Sequence, residues 1–449
     1  MPSSKTGHRV QFAVAILGTV GAIYGISRLI KPSSAKSAEV PVVETQTTPI
    51  AHVDPPPIKP SIGSAFVDAV REGDLARMEK HWVKDMPVSG TLALGAATGK
   101  VQVVEWLLAH GADVHENEAS VEAPVLTADA YPDVVKLLLS KGAMEPTLEM
   151  AAGACAPNAV TRRLAAGDSP KASAGDGSSL LASVIDSAAA LDKRQLVLEK
   201  LLAAGADPNA HDGSYPLASA LSLFDGDETS QHAAKKMVET LLAKGARVDI
   251  DALQAAIGIS EDGPRNTALD AILNAKLEAD AIPRACFSLT GERDVPVLKK
   301  LAAKGINWAF NDGEEQIMPL LDALERMDAP IAKAMLDAGA PATQRARDGR
   351  SALGIALDRA ASEDGARMVE ILLAKGASAT KRLHDGRTPL YAAAEAGDVR
   401  AVNALLAHGA KPNEIVLDET ALDVAEANGH TAVARVLHAH GGRRAPQRD

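Results

Sequence analysis

The side chains that most often carry chemistry are present in this chain, but they do not converge in sequence. Twelve histidines occur, yet none belongs to an HExxH pattern, which sets two imidazoles on one face of a helix for zinc. His110, His408 and His440 each stand just before a glycine that reads as a helix end. That position suits a polar ring at the negative end of a helix dipole better than a metal ligand. Asp225, Asp227 and Thr229 have the spacing of the first half of a calcium loop. The bidentate Glu that completes such a loop is missing at the required distance. No CxxC, GxSxG, GxGxxG or Walker pattern is present, so neither a nucleophile elbow nor a phosphate cradle is legible. The two cysteines, Cys155 and Cys286, read as small buried hydrophobes. These features point away from an enzyme, a metal centre, a cofactor and a small-molecule substrate.

What the chain offers instead is a repeated positioning unit. From Asp385 to Asn413 it reads DGRTPLYAAAEAGDVRAVNALLAHGAKPN. Asp385-Gly386 reads as a tight turn, because glycine accepts positive φ. Thr388-Pro389 reads as a helix start, with Thr at the N-cap and Pro at N1, where its missing N–H costs nothing. A short apolar helix (Leu390, Ala393, Ala394) stops at Gly397. Asp398 then caps a second helix whose apolar face is Val399, Val402, Leu405 and Leu406, and Gly409 ends it.

This string resembles an ankyrin repeat, with Tyr391 where that family usually has His. The phrase recurs along the chain. Gly305, Gly339, Gly376, Gly409 and Gly441 follow one another at 32 to 37 residues, close to the ankyrin period of about 33. Earlier copies end in LLAHGADV, LLSKGA, LLAAGADPN and LLAKGARVD. The first copy has Asp85 in the place of its terminal glycine and is more charged, as an end cap should be. A worn copy ends at Asn274, with Asn offered for the left-handed position. Three stretched copies carry acidic segments, Asp225–Glu228, Ser260–Gly263 and Ser362–Gly365, which read as longer turns between paired helices. The expected fold is an all-α ankyrin-repeat solenoid of about twelve helix-turn-helix repeats over residues 63–442.

Three segments flank it. Residues 1–11 form a short basic tail. Residues 12–30 are almost wholly apolar and approach the roughly 20 residues that span a bilayer, so they read as a transmembrane signal-anchor; a cleaved signal peptide is the rival. Gly21 and Gly25 make a GxxxG within it, a dimer face for helices in lipid. Residues 31–62 are a Pro-rich linker that includes Pro55-Pro56-Pro57, a semi-rigid spacer. Residues 443–449 read as a basic disordered tail.

Charge and composition bound the partners. Aromatics are 3% of the chain, too few for one large core. The net charge of −11 is uneven. Lys5, Arg9, Arg28, Lys31, Lys36 and Lys59 outweigh Glu39, Glu44 and Asp54 in residues 1–62, which leaves the rest more acidic still. Such a body is a poor ligand for nucleic acid, whose binding needs cations. The resemblance implies a protein partner, and the charge implies a basic surface on it. Trp308 and Phe310 fall in a turn between repeats, where at least one should be accessible to a partner. Trp106 takes a helix position filled elsewhere by Leu137, Ile371 and Ala404, so partial exposure is expected. Tyr391 either supports a turn or meets a partner. Trp82 aligns with core Leu406.

The expected function is a non-enzymatic protein-interaction scaffold on a bacterial-type inner membrane, single-pass, with its ankyrin body in the periplasm. A membrane-clustered assembly protein dimerising through the anchor and a cytoplasmic-facing regulator are the alternatives.

Overall fold

In the described residues, helices alternate between two designs. Pro389–Glu395 and Val399–Ala407 show the recipe. The Thr388 hydroxyl accepts from Tyr391 N at 3.1 Å, and Pro389 follows at the first helical position. The corner at Gly397 has φ 76°, and a Cβ there would lie 2.7 Å from the His430 ring, so only glycine fits the approach. Asp398 then accepts from the N–H groups of Arg400 and Ala401 at 2.8 and 3.2 Å. The second helix ends in a left-handed Gly409 (φ 88°), whose neighbour His408 is the C-cap. His110 and His440 occupy the same place, with Nδ1 2.7 and 2.9 Å from the carbonyls of Trp106 and Val436.

The computed structural model describes residues 62–171, 179–210, 215–311, 316–359 and 362–446. They hold twenty-four α-helices, running in order from Ser64–Glu72 to Thr431–Ala439, with one short hairpin of strands Phe310–Asn311 and Gln316–Ile317. Every substantial helix contact is within a pair or between adjoining pairs, first helix on first and second on second. The first helices are narrow because small residues face each other: Ala393 and Ala394 are fully buried. The second helices supply larger side chains such as Val402 and Leu405, also fully buried, each worth about 2 kcal/mol by area. The anchor expected at 12–30, with Gly21 and Gly25, lies outside the described residues, as does the linker expected at 31–62 up to its last residue. Among the described residues no helix is long and apolar enough to cross a membrane.

Several local expectations are revised. Asp85 does adopt the left-handed backbone of the glycine it replaces (φ 69°), and so do Cys155 (φ 47°) and Met327 (φ 62°) at corners between paired helices. Asn274 does not. The chain there leaves its helix for an extended path, in which Val248 pairs with Leu277 and Val248 N donates to Lys276 O at 3.2 Å. The acidic segments are turns only in part: the corner before Glu228 does run longer, over 223–227 against 396–398 at Gly397. Their last residues open long second helices, Glu228–Ala243, Asp262–Ile272 and Glu363–Ala374, where carboxylates favour the positive helix end. The calcium-like spacing has a structural use, because Asp227 caps the first of these helices through Ser230 N at 2.8 Å. Asp225 reaches the adjoining pair, where it accepts from Ser260 N at 2.8 Å. The expected disordered tail, 443–449, is hydrogen-bonded over its described part. Arg443 N donates to Asn413 Oδ1 at 2.7 Å and Ala445 N to Asp423 Oδ2 at 2.8 Å.

The apolar interior is divided. Val134, Val135 and Leu138 of helix Pro132–Ser140 belong to one cluster with the preceding pairs. Ala159 and Val160 of helix Pro157–Ala165 belong to the cluster of the later pairs, which reaches back only to Ala123 and Leu126 at the first helix of the preceding pair. Polar groups bridge these two second helices. Asp129, 7% exposed, accepts from Asn158 N at 3.0 Å and Ala159 N at 2.6 Å. It thereby caps a helix whose own N-cap, Ala156, has no side chain for the task. Arg162 reaches across to Glu145 at 2.9 Å, and its buried Nη2 finds no partner. Asp129→Ala should cost roughly 2 kcal/mol and split thermal unfolding into two transitions. Hydrogen exchange that accelerates in the pairs before residue 143 and spares those after 180 is the expected result.

Candidate partner-binding face

The segments between successive pairs project as fingers. The finger after Gly305 is the hairpin, in which Phe310 pairs with Ile317. Two others end in Asp-Gly tips built alike. Ala346 N donates to Arg350 O at 2.8 Å and Leu383 N to Arg387 O at 2.9 Å. Within each tip the Asp carboxylate accepts from the backbone and guanidinium of the Arg two residues on: Asp348 from Arg350, Asp385 from Arg387. The Arg350 bonds hold the Asp348 carboxyl below its usual range. The last finger closes through Val416 and Glu419, whose backbones bond both ways at 2.8 and 3.0 Å.

Side chains lace each finger to the next. Gln344 Nε2 donates to Trp308 O at 2.6 Å. Arg345 bonds its own tip at Gly349 O, 3.0 Å, and reaches Arg382 O at 3.4 Å. Arg382 repeats the arrangement one finger on, bonding Gly386 O at 2.7 Å, Glu414 Oε1 at 2.9 Å and Ile415 O at 3.2 Å. The Tyr391 hydroxyl donates to Glu419 Oε2 at 2.9 Å. A row fixed in this way loses little conformational freedom when it meets a ligand.

Two cavities open where a first helix meets the finger beside it. One of about 470 Å³ has Phe287, Met318 and Leu321 as apolar walls and Asp322, Glu325 and Asp348 among its rim. The other, about 790 Å³, lies over the final pair, between the last finger, helix Ala421–Ala427 and the tail. Charge along the row is mixed. Arg345, Arg347, Arg350, Lys381, Arg382 and Arg387 crowd the two Asp-Gly fingers, whereas the last finger carries Glu414, Asp418 and Glu419.

The residues singled out from sequence are scattered along this row and beyond it. Trp308 and Phe310 are both half-buried on the hairpin finger, and Trp308 packs against the main core. Tyr391 is only 6% exposed; its hydroxyl supports the next finger rather than standing free. Trp106 is half-buried far from these fingers in sequence. It stacks on His110 (centroids 3.7 Å, 15°) and lies edge-on to Trp82 at 6.1 Å. Cys155 and Cys286 are buried as free thiols, and burial pushes the Cys286 thiol up to about 12. Among the described residues no cluster of three or more His, Cys, Asp or Glu is placed to hold a metal ion. Sequence reasoning missed the arginine ladder and the exposed pair Ile415 and Leu417. The ladder had a signal, the hexapeptide R-x-x-D-G-R, present at both Arg345–Arg350 and Arg382–Arg387.

Residues 357–447 match the family model described as ankyrin repeats (3 copies). No curated protein matches the chain.

Tyr391→Phe removes the bond to Glu419 and should cost about 1 kcal/mol. Burial and then Glu419 push the phenol from 10.0 up to about 12. The folded value is the higher one, so its contribution is complete below pH 10 and fades as pH climbs towards 12. Ultraviolet titration should show one of the four tyrosines ionising near pH 12, and this phase should vanish in the variant.

Proposed function

We propose that this ankyrin-repeat protein is a non-enzymatic scaffold that binds a partner protein along its fingers and the first-helix grooves beside them. Ankyrin repeats generally mediate protein–protein interaction. We read the helix pairs as about twelve repeats of that kind. The observation that carries the proposal is the laced row from Trp308 to Glu419, in which each finger is held by its neighbour while charged side chains and two grooves remain on its surface. Rigid presentation of varied side chains favours recognition, because little ordering cost is left to meet on binding. The basic-partner reading narrows to the last finger, since the two Asp-Gly fingers are themselves rich in arginine. The proposal extends to location: residues 12–30 hold the chain in an inner membrane, residues 31–62 space the body from it, and the body faces the periplasm.

Photo-crosslinking residues placed at Asp348 on a fingertip and at Glu239 on an exposed second helix test the face in living cells. Capture of one protein species from Asp348 and not from Glu239 is expected; equal capture from both positions, or none, would refute it. For orientation, alkaline phosphatase fused after Asp449 should be active and a cytoplasm-dependent fluorescent protein dark. The reverse pattern would establish the cytoplasmic-facing alternative.

A further inference from the structure

The last finger departs from the pattern of its neighbours. Its turn residues, Leu417 and Asp418, both take left-handed backbone (φ 52° and 67°); Asp418 stands in the place of Gly349 and Gly386 (φ 87° and 85°), and Leu417 in the place of Asp348 and Asp385, which do not take it. A bulky side chain is disfavoured in that conformation. Leu417 is nevertheless 84% exposed and the nearby Ile415 46%. Core packing therefore does not explain why a leucine takes left-handed backbone at this tip, where the neighbouring tips have an aspartate.

Beside this apolar tip lies the groove of about 790 Å³, lined by Ile415, Asp418, Glu419, Asp423 and Glu426 and closed on one side by Arg444 and its neighbours. The chain's own tail displays what the groove accepts. Arg444 Nε donates to Glu426 Oε2 at 2.6 Å, and its Nη2 lies 2.6 Å from the same oxygen. The tail backbone is held as well, with Ala445 N on Asp423 Oδ2 and Arg443 O accepting from Thr420 Oγ1 at 2.9 Å. Asn413 bonds Gly441 O at 3.0 Å and Arg443 N at 2.7 Å. Asn209 makes the same two bonds within the array, to Gly245 O at 3.1 Å and Arg247 N at 2.8 Å. The tail thus starts along the path of a further finger. Arg444 is a loose guest, since its side chain is 71% exposed.

We propose that the groove over the final helix pair is a docking subsite for a partner-protein segment that carries an arginine or lysine beside an aliphatic side chain. Arg444 is the internal occupant that such a segment displaces. The carboxylate wall takes the cation, as it takes Arg444 now. Leu417 and Ile415 cover the aliphatic neighbour. This inference rests on the reading of the fingers as the partner-binding face and names the chemistry recognised at one end of it.

Fluorescence anisotropy on the full-length chain tests it, with a labelled decapeptide of alternating arginine and leucine as probe. Replacing the arginines by glutamine, or the leucines by serine, should weaken binding about tenfold or more. Arg444→Ala should tighten it about threefold, the scale of an exposed ion pair, and Glu426→Gln should weaken it. Leu417→Gly separates function from structure: it should raise the melting temperature by relieving the left-handed turn while weakening the peptide. Equal binding of the glutamine peptide, or affinity unmoved by Glu426→Gln and Leu417→Gly, would overturn the subsite. So would a concentration-dependent dimer of the Arg444→Ala chain that expels the probe, since the groove would then belong to a second copy. If the peptide fails while Asp348 still crosslinks its partner, the subsite is wrong and the binding face stands. If both fail, the face itself is wrong.

Discussion

Each helix pair buries its apolar side only against the pairs next to it, and the rest of the structure follows from that constraint. A first helix built around alanines such as Ala393 and Ala394 is too narrow to cover itself. It gains burial by lying close beside another narrow helix, and the second helices, with Val402 and Leu405, fill the layer behind. Corners must then be tight. Glycine meets that need at Gly397, while Cys155 and Met327 accept left-handed strain at equivalent corners. The connecting segments have nowhere to pack except against one another, which is why they project as fingers and why polar side chains lace them.

Polar bonds between pairs add to the apolar layer that runs from pair to pair. Arg265, 3% exposed, spans to Asp294 at 2.6 Å in the adjoining pair. It also bonds Asp262 at 2.7 Å, so the buried guanidinium meets two carboxylates. Removing one partner of such a pair strands the other charge, which is why buried pairs are costly to break even when their net contribution is small. Asp129 is likewise buried, whereas the two Arg-to-carbonyl bridges of the fingers join neighbours at the surface. They set register between neighbours, where burial alone would tolerate sliding.

Much of this was readable from the sequence, because the helix punctuation is local chemistry. Thr388-Pro389, Asp398 and Gly409 mark boundaries through hydrogen bonds made within a few residues. Asp85 in the glycine position was legible for the same reason. What escaped depends on partners roughly thirty residues away. Asn274 is a good left-handed residue, yet it does not take that backbone, and the chain beyond it pairs at Leu277 with Val248. The acidic segments looked like turns because charge is common in loops, but at a helix start it serves the dipole. Tyr391 could be read as a turn support, but its partner, Glu419 of the next finger, could not, and the tail's composition hid the acceptors waiting in Asn413 and Asp423. The arginine ladder was visible only as a repeated hexapeptide, whose meaning needs two fingers side by side.

The division of the apolar interior at Asp129 bears on how such a chain changes length over evolutionary time. A seam at which polar bonds join the second helices and only Ala123 and Leu126 carry the apolar contact across offers a place to insert or delete a helix pair. The newcomer would need only an acid to cap the next helix and a base to answer it. Duplication at this seam would alter the number of fingers without repacking either neighbouring block.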